Sequence, residues 1–255
     1  MCTLSWAPEP DGYLLCFNRD EQKSRSPGLP PARAIRDGVG VLAPTDSEAG
    51  GSWIGVNAYG LSLCLANRYD DPPQTPPGEP ISRGLLLTAL FSSGSQSEVV
   101  TRITTADLAR YRPFTIACAE PGSPLLLAAW NGQRLNSRTW TAPGLVVTSS
   151  GVNQAGAEAA RRALFESWAA SRHRFDTETL TLLHRSHEPA RGPLSICMHR
   201  DDAETVSFSR VEVTGRQVSL FHLPAAPCSG VTGTSLNLDW VPAPALALLP
   251  AQLHV

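Results

Sequence analysis

Apolar and polar residues alternate with the period of β-strands over much of the chain, in short runs bounded by Pro, Gly, Asn and Asp. The runs at 3–7 and 13–19 flank a Pro-Glu-Pro-Asp-Gly turn and predict a β-hairpin. Because this turn is nearly centred, a simple register makes Cys2 and Arg19 cross-strand neighbours. Similar patterns predict further strands at 38–42, 53–56, 61–66, 114–119, 125–130, 134–140, 145–148, 194–198, 205–213 and 217–223.

Helical patterns fall between these blocks of strands. They predict a leucine-rich helix with Ser82 as N-cap, a short helix over 95–104, an Ala, Glu and Arg-rich helix over 154–171, and one from Asp176 to about His187. Loops are predicted at 20–37 and in the Pro-rich stretch 71–80, and a loose C-terminal segment at 224–255. The block order predicts a single α+β domain over 1–255, with two mostly antiparallel sheets packed together and helices outside.

Composition is that of an ordinary folded domain, with 42% hydrophobic and 17% charged residues. The net charge of −2 gives no basic surface, so nucleic acid is not expected as a partner. The N-terminus lacks the pattern of a signal peptide, and no apolar run reaches the ~18 residues of a membrane span. These features predict a cytoplasmic protein with no integral membrane segment.

Four of the six cysteines lie in apolar, strand-like runs and are predicted to be buried core thiols in a reducing compartment. They are Cys16, Cys64, Cys118 and Cys197. No Cys-x-x-Cys pair occurs, so neither a zinc knuckle nor a redox dithiol is indicated, and no metal site is predicted.

The second residue offers a nucleophile. Cys2 is small enough for methionine aminopeptidase to remove Met1, which leaves a cysteine with both a thiol and a free α-amine. The unperturbed pKa is about 7.7 to 8 for an α-amine and about 8.5 for a thiol, so the amine can accept the thiol proton near neutral pH. One residue would then serve as nucleophile and base. Arg19 across the hairpin would favour the thiolate.

Polar clusters end two of the predicted strands. The first is Asn-Arg-Asp-Glu at 18–21 and the second is Asn-Arg-Tyr-Asp at 67–70. Both follow hydrophobic strand patterns, so we expect them to lie at one rim of a sheet.

A set of motifs in order from residue 2 to about 210 is similar to the NRDE family, the family of transport and Golgi organisation protein 2. The motifs are Cys2, FNRDE at 17–21, GGSWIGVN at 50–57 with Gly60, LANRYD at 65–70, SRG at 82–84 and TVS at 205–207. This family resembles the N-terminal-nucleophile hydrolases, in particular the cysteine enzymes that include choloylglycine hydrolases and penicillin V acylases. The segment GVNAYGL at 55–61 is also similar to the Gly-x-Asn-x-x-Gly-Leu segment of those amidases. The resemblance implies a four-layer αββα sandwich.

The resemblance also implies roles for individual residues. Cys2 would be the nucleophile, Arg19 would pair with its thiolate, and Asp20 would orient the terminal amine. Asn67 would donate a hydrogen bond to an oxyanion. The residues implied to bind substrate or ligand are Asn18, Glu21, Asn57 and Arg200.

The chain departs from the hydrolase pattern at two points. The hydrolases place two residues between their arginine and aspartate, whereas Arg19 and Asp20 are adjacent. Adjacent strand residues point to opposite faces, so both face Cys2 only where the strand ends or bulges, and Asp20 and Glu21 both stay open as the partner of the amine. The second asparagine of those enzymes is also missing, and Ser149 and Ser150 stand where it is expected.

Three functions are compatible with these residues. The first is hydrolysis of a small-molecule amide or acyl compound, which needs no cofactor. The second, implied by the family's association with haem trafficking and with lipid or acyl-CoA metabolism, is non-catalytic binding and transport of such a ligand on the same scaffold. The third is a hydrolase scaffold reused for protein contact. For haem, the candidate axial ligands are Cys2, His184, His187, Cys197, Met198 and His199, with reversible binding because no Cys-x-x-Cys-His site is present.

Overall fold

The computed structural model describes residues 2–69, 76, 78–171 and 174–244, and these residues form two antiparallel sheets. In spatial order, the first sheet consists of β10 (Gly144–Ser149), β1 (Cys2–Glu9), β2 (Gly12–Gln22), β11 (Ala203–Val213), β12 (Gln217–Leu223) and β13 (Thr234–Asp239). The second consists of β3 (Leu29–Arg36), β4 (Val39–Thr45), β5 (Ile54–Asn57), β6 (Ser62–Asn67), β7 (Phe114–Ala119), β8 (Leu125–Trp130) and β9 (Leu135–Trp140).

Helices cover the outer face of each sheet. Helices α1 (Arg83–Leu90) and α2 (Gln96–Thr105) pack on the second sheet, and α3 (Gln154–Ala170) and α4 (Thr177–Arg185) pack on the first. Separate hydrophobic clusters lie between the two sheets and between each sheet and its helices. This layer order confirms the predicted α+β fold and the αββα sandwich.

The N-terminal hairpin has a regular register along its whole length. Its cross-strand pairs run from Cys2 opposite Arg19 to Glu9 opposite Gly12, which confirms the predicted neighbours. Side chains of alternate residues follow the two faces of the strands. Leu4 and Trp6 therefore join the core between the sheets, whereas Cys16 packs toward α3 and α4.

The prediction of a loop over 20–37 is wrong. Strand β2 continues to Gln22, and Leu29–Arg36 forms β3, the edge strand beside β4. Every residue of β3 is at least partly exposed, and Ile35 retains 75% of its surface. An edge strand that buries neither face has no reason to alternate apolar and polar residues, so no strand pattern is visible there in the sequence.

Two predictions after residue 190 also need correction. The segment 194–198 is not a strand. The sheet offers it no free neighbour there, because β11 is already flanked by β2 and β12. The segment instead belongs to a compact connection that has a single β-bridge, between His199 and Glu204. The segment from 224 is not loose throughout, since Thr234–Asp239 forms β13 against β12. Leu236 and Leu238 of β13 pack against the core between the sheets, which anchors this part of the C-terminus.

Some predictions fall on residues outside the described ranges. These are the removal of Met1, most of the Pro-rich loop at 71–80, and the end of the chain from 245. In the part of the chain that the structure describes, none of the helices has both the length and the apolar surface needed to cross a membrane. The cytoplasmic location stays a prediction.

Candidate functional site

The first hairpin places a thiol and a guanidinium side by side at the end of the first sheet. Cys2 is 7% exposed, and Arg19 lies directly opposite it on β2. The Arg19 guanidinium stacks over the Trp53 ring at 4.2 Å and lies 3.4 Å from the Glu21 carboxylate and 3.3 Å from that of Asp46. This arginine is therefore held rigidly between an aromatic face and two acids, with Cys2 beside it.

Burial and the neighbouring groups shift the pKa of the Cys2 thiol in different directions. Burial raises this pKa because the thiolate is poorly solvated there, and the negative charge of Asp20 also raises it. A hydrogen bond from the backbone N–H of Asp20 and the positive charge of Arg19 both lower that pKa. The site thus holds two groups that stabilise the thiolate, in a setting that otherwise favours the neutral thiol.

Asp20 points to the opposite side of β2 from Arg19, as strand alternation requires. Its carboxylate is fully buried, accepts a 2.6 Å hydrogen bond from the Thr205 hydroxyl and lies 3.8 Å from the Arg161 guanidinium. Burial raises the pKa of Asp20, and the Arg161 charge counteracts this rise. The adjacent residues of the Asn-Arg-Asp-Glu motif therefore support Cys2 from two faces of the sheet.

Arg161 is a component of the site that the sequence analysis missed. It is completely buried on α3, and its guanidinium also donates to the Thr3 hydroxyl at 2.7 Å and the Leu194 carbonyl at 3.3 Å. The sequence does contain an indication of this role, because Arg161 is spaced from the apolar residues of α3 so that it lies on the same, buried face of the helix. The buried positions of α3 are Ala157, Arg161, Leu164 and Phe165.

Cys2 opens onto a cavity of about 350 Å³ between the two sheets and the start of α1. Seven of its seventeen lining residues are charged, and four of these seven are arginines. Arg83, the first residue of α1, is held by a 2.9 Å hydrogen bond to the Pro113 carbonyl, and Arg112 lies nearby with an exposed side chain. The charged residues of the wall are Arg19, Asp20, Glu21, Arg25, Asp46, Arg83 and Arg112.

Two glycines bring α1 against the loop before β5. A Cβ at Gly51 would lie 2.3 Å from the carbonyl carbon of Gly84, which is closer than any side chain tolerates. The backbones touch there, and Ser52 donates its N–H to the Gly84 carbonyl at 3.1 Å. This close approach fixes Arg83 at the mouth of the Cys2 cavity.

Asn67 and Ser149 reach the same region from different sheets. Asn67 ends β6 and lines the cavity, and its side-chain amide has a long 3.5 Å contact with the Tyr69 hydroxyl. Ser149 on β10 is the other cross-strand neighbour of Cys2, and its buried hydroxyl has no hydrogen-bond partner among the described residues. The first polar cluster thus lies on β2 of one sheet and Asn67 ends β6 of the other, so the prediction of one shared rim is wrong.

The structure places three predicted ligand-binding residues away from this cavity. Asn18 lies on the helix-facing side of β2, where its amide donates to the carbonyls of His184 and Ile196 at 3.0 Å. Asn57 is buried. Its amide donates to two carbonyls just after α1, and its Oδ1 accepts two N–H groups of the turn after β5. Arg200 pairs with Asp202 and does not line the cavity. Asn18 and Asn57 therefore satisfy buried backbone groups.

His184, a predicted haem ligand, is fully buried in the layer between the first sheet and its helices. Its Nδ1 lies 3.0 Å from Asn18 Oδ1 and its Nε2 lies 2.8 Å from Ser5 Oγ. Both ring nitrogens are therefore engaged, and the geometry does not support this residue as an axial ligand. Burial lowers the pKa of His184 to about 3.

The buried neutral imidazole of His184 predicts acid sensitivity. Between pH 6.5 and about 3 the unfolded chain binds a proton that the folded protein does not, so folded-state stability falls as pH falls. We expect the stability loss from pH 7 to pH 5, measured by urea unfolding, to be about 2 kcal/mol smaller in His184→Gln than in the wild type. Equal losses in the two proteins would contradict this assignment.

The whole fold is similar to that of three solved structures. The first is a conjugated bile acid hydrolase from Clostridium perfringens, with a TM-score of 0.57 and 10% identity, covering 93% of this chain and 92% of that chain. The second is a penicillin V acylase from Agrobacterium tumefaciens, with a TM-score of 0.54 and 9% identity, covering 94% of this chain and 86% of that chain. The third is a Caenorhabditis elegans orthologue of N-acylethanolamine-hydrolyzing acid amidase, with a TM-score of 0.59 and 13% identity, covering 93% of this chain and 100% of that chain. The chain therefore has the fold of the N-terminal-nucleophile hydrolases.

The chain also matches the sequence pattern of a known family. The sequence profile of the family described as Transport and Golgi organisation 2 matches residues 1–206, and this chain belongs to that family. No curated protein sequence matches the chain.

Proposed function

We propose that this protein is a C–N bond hydrolase whose nucleophile is Cys2, with the α-amine freed by removal of Met1. One observation carries this proposal: Cys2 opens onto a cavity at the N-terminus with Arg19 directly opposite. The α-amine takes the proton from Sγ, and Sγ attacks the carbonyl carbon of the substrate. The C–N bond then breaks, the leaving amine takes that proton, and water hydrolyses the thioester to a carboxylic acid and the regenerated thiol.

Asp20 is the better partner for this amine. Both carboxylate oxygens of Glu21 are already engaged, one by the N–H of Gln22 at 3.0 Å and the other by Arg19 and Arg25 at 3.4 and 3.7 Å. Asp20 is buried on β2 and directly follows Arg19, the cross-strand neighbour of Cys2. Its charge, held by Thr205 and Arg161, would orient a protonated amine and aid its role as acid.

The oxyanion of the tetrahedral intermediate needs donors at Cys2. Asn67 of β6 and Ser149 of β10 supply an amide and a hydroxyl, and Ser149, which pairs with Cys2, takes the position expected for the missing asparagine. We expect Ser149→Ala to lower kcat by about 10²-fold, because one oxyanion donor is worth about that much. Steady-state kinetics would measure it, and an unchanged kcat would remove Ser149 from the mechanism.

The cavity wall indicates the substrate class. A volume of about 350 Å³ whose wall includes four arginines and three acids suits a small polar compound with a negative charge, not a steroid or a long acyl chain. Arg83 and Arg112 line the side of the cavity formed by α1 and the segment before β7. We therefore propose a small N-acyl compound that carries a carboxylate or another anionic group.

The test uses untagged protein. Intact mass should show Met1 absent, and incubation with a β-lactam or another electrophilic amide should add one acyl group at Cys2. A panel of short N-acyl amino acids should then be cleaved, with uncharged amides of the same acyl group as controls. Retention of Met1 at full occupancy would overturn the proposal.

A second candidate function is reversible haem binding, favoured by a larger cavity of about 760 Å³ beside the first. Of the predicted haem ligands, His199 lines this cavity, together with the basic side chains of Arg25 and Arg191 that suit propionate groups. Titration with haem should give a saturable Soret shift that His199→Ala weakens. Linear, unsaturable uptake, unchanged by that substitution, would identify adventitious binding.

A further inference from the structure

Two cysteines and two histidines converge beside the ends of β2 and β11, outside the Cys2 cavity. His187 follows α4, Cys197 and His199 lie in the connection before β11, and Cys228 lies between β12 and β13. One potential ligand atom from each lies within 4.8 Å of those of the other three. We propose that these four residues bind a zinc ion, independently of the proposed hydrolase function.

The distances fit a tetrahedral metal site. The Nε2 atom of His199 lies 3.5 Å from Cys197 Sγ and 3.4 Å from Cys228 Sγ. Metal–sulfur bonds of about 2.3 Å and metal–nitrogen bonds of about 2.0–2.1 Å in a tetrahedron separate S and N by roughly 3.5 Å. A shared cation would bind all three of these atoms at once.

His187 supplies an independent indication. Its Nε2 atom is buried and has no hydrogen-bond partner among the described residues, although its ring lies edge-on to that of His199, 5.2 Å between centroids. A buried imidazole nitrogen normally finds a partner, and a metal ion at the centre of this cluster would provide it.

The surroundings of His199 also match those of a metal ligand. With Nε2 directed at the two sulfurs, Nδ1 lies 3.7 Å from the Glu204 carboxylate and 3.4 Å from the Arg191 guanidinium. Metal-bound histidines commonly direct their other nitrogen at a carboxylate, which fixes the ring and raises its basicity. Two thiolates and two imidazoles favour zinc, and four protein ligands leave no open position, so the site is structural.

The site has a consequence for the Cys2 region. Met198, which lies between two of the ligands, accepts the N–H of Thr205 at 2.9 Å and donates its own N–H to the Thr205 hydroxyl at 2.9 Å. That hydroxyl donates in turn to Asp20. A bound ion would therefore fix the segment that positions Thr205 against the buried carboxylate.

The experiment measures metal in the untagged full-length protein, purified under reducing conditions without chelator. We expect one zinc per chain by mass spectrometry, and none after Cys228→Ser or His187→Ala. Cys118→Ala, which removes a buried cysteine far from the cluster, and Cys2→Ala should both retain it. Replacement of the zinc by Co²⁺ should give thiolate charge-transfer and tetrahedral d–d absorption bands in the wild type. The Glu204→Gln substitution should weaken zinc binding by about 10- to 100-fold.

Circular dichroism establishes that each variant is folded, so that metal loss reports on the ligands. Absence of stoichiometric metal after zinc addition and gel filtration would overturn the proposal. So would undiminished zinc in folded Cys228→Ser, or a Cys197–Cys228 disulfide in protein kept under reducing conditions. Haem bound through His199 in zinc-loaded protein would also overturn it, because His199 Nε2 cannot bind both.

Discussion

Replacing Cys2 by alanine is expected to reduce amide hydrolysis and acyl labelling to background while the fold is retained. Alanine at the second position still permits removal of Met1, so the variant keeps the α-amine and loses only the sulfur. Without that sulfur no thioester forms, and neither Asn67 nor Ser149 replaces it as a nucleophile. Turnover of the anionic N-acyl panel and intact mass after probe treatment would measure the loss, and circular dichroism would verify the fold.

Two further variants separate nucleophile loss from general damage. Cys2→Ser keeps a weak oxygen nucleophile next to the amine, so we expect residual turnover between those of the wild type and Cys2→Ala. Cys118→Ala removes a thiol buried on the helix-facing side of the second sheet and should leave turnover unchanged. Full activity in Cys2→Ala would show that the chemistry lies elsewhere.

Replacing Arg161 by methionine is expected to destabilise the protein by about 3–5 kcal/mol, because Asp20 would remain as a buried charge without its cation. The pKa of Asp20, already raised by burial, would rise further. Above pH 3.8 the Asp20 carboxyl releases its proton in the unfolded chain but retains it in the folded protein. The stability of the variant should therefore fall as pH rises toward the pKa of Asp20 in the folded protein. Urea unfolding at several pH values would measure both effects.

The chain supplies a matched control for this variant. Arg162 neighbours Arg161 on α3, but its side chain is half exposed and pairs with Glu158 one turn away. Arg162→Met should change stability by no more than about 0.5 kcal/mol. Adding Asp20→Asn to Arg161→Met should recover part of the lost stability, since the unpaired charge is removed. Equal effects of the two arginine substitutions would show that the Arg161–Asp20 pair contributes nothing to the stability of the protein.

Prediction from the sequence succeeded where burial imposed a pattern. The first hairpin and its Cys2–Arg19 pair could be predicted because two faces with different surroundings require alternation and a centred turn fixes the register. The edge strand β3 could not, because neither of its faces is buried. The segment 194–198 has the apolar composition of a strand, yet the sheet offers it no free neighbour, and that fact depends on the whole topology.

The candidate site divides in the same way. The motif residues Cys2, Arg19 and Asp20 are close in sequence or across one turn, so local rules place them together. The roles of Asn18 and Asn57 in bonding buried backbone groups follow from contacts with His184 and Phe91, which local rules do not reveal. The resemblance implied a ligand-binding role for these two residues, and the structure shows that their side chains bond buried backbone groups away from the Cys2 cavity.

The sequence by itself determined the class of fold, the hairpin that presents Cys2, and the membership of Arg19 and Asp20 in one motif, because periodicity, a centred turn and adjacency are all local properties of the chain. Only the tertiary structure decided that Arg161 lies behind Asp20, that Ser149 lies beside Cys2, and that His187, Cys197, His199 and Cys228 converge. The physical reason is that these contacts join residues far apart in the chain, and only the packing of sheets, helices and connections fixes such distances.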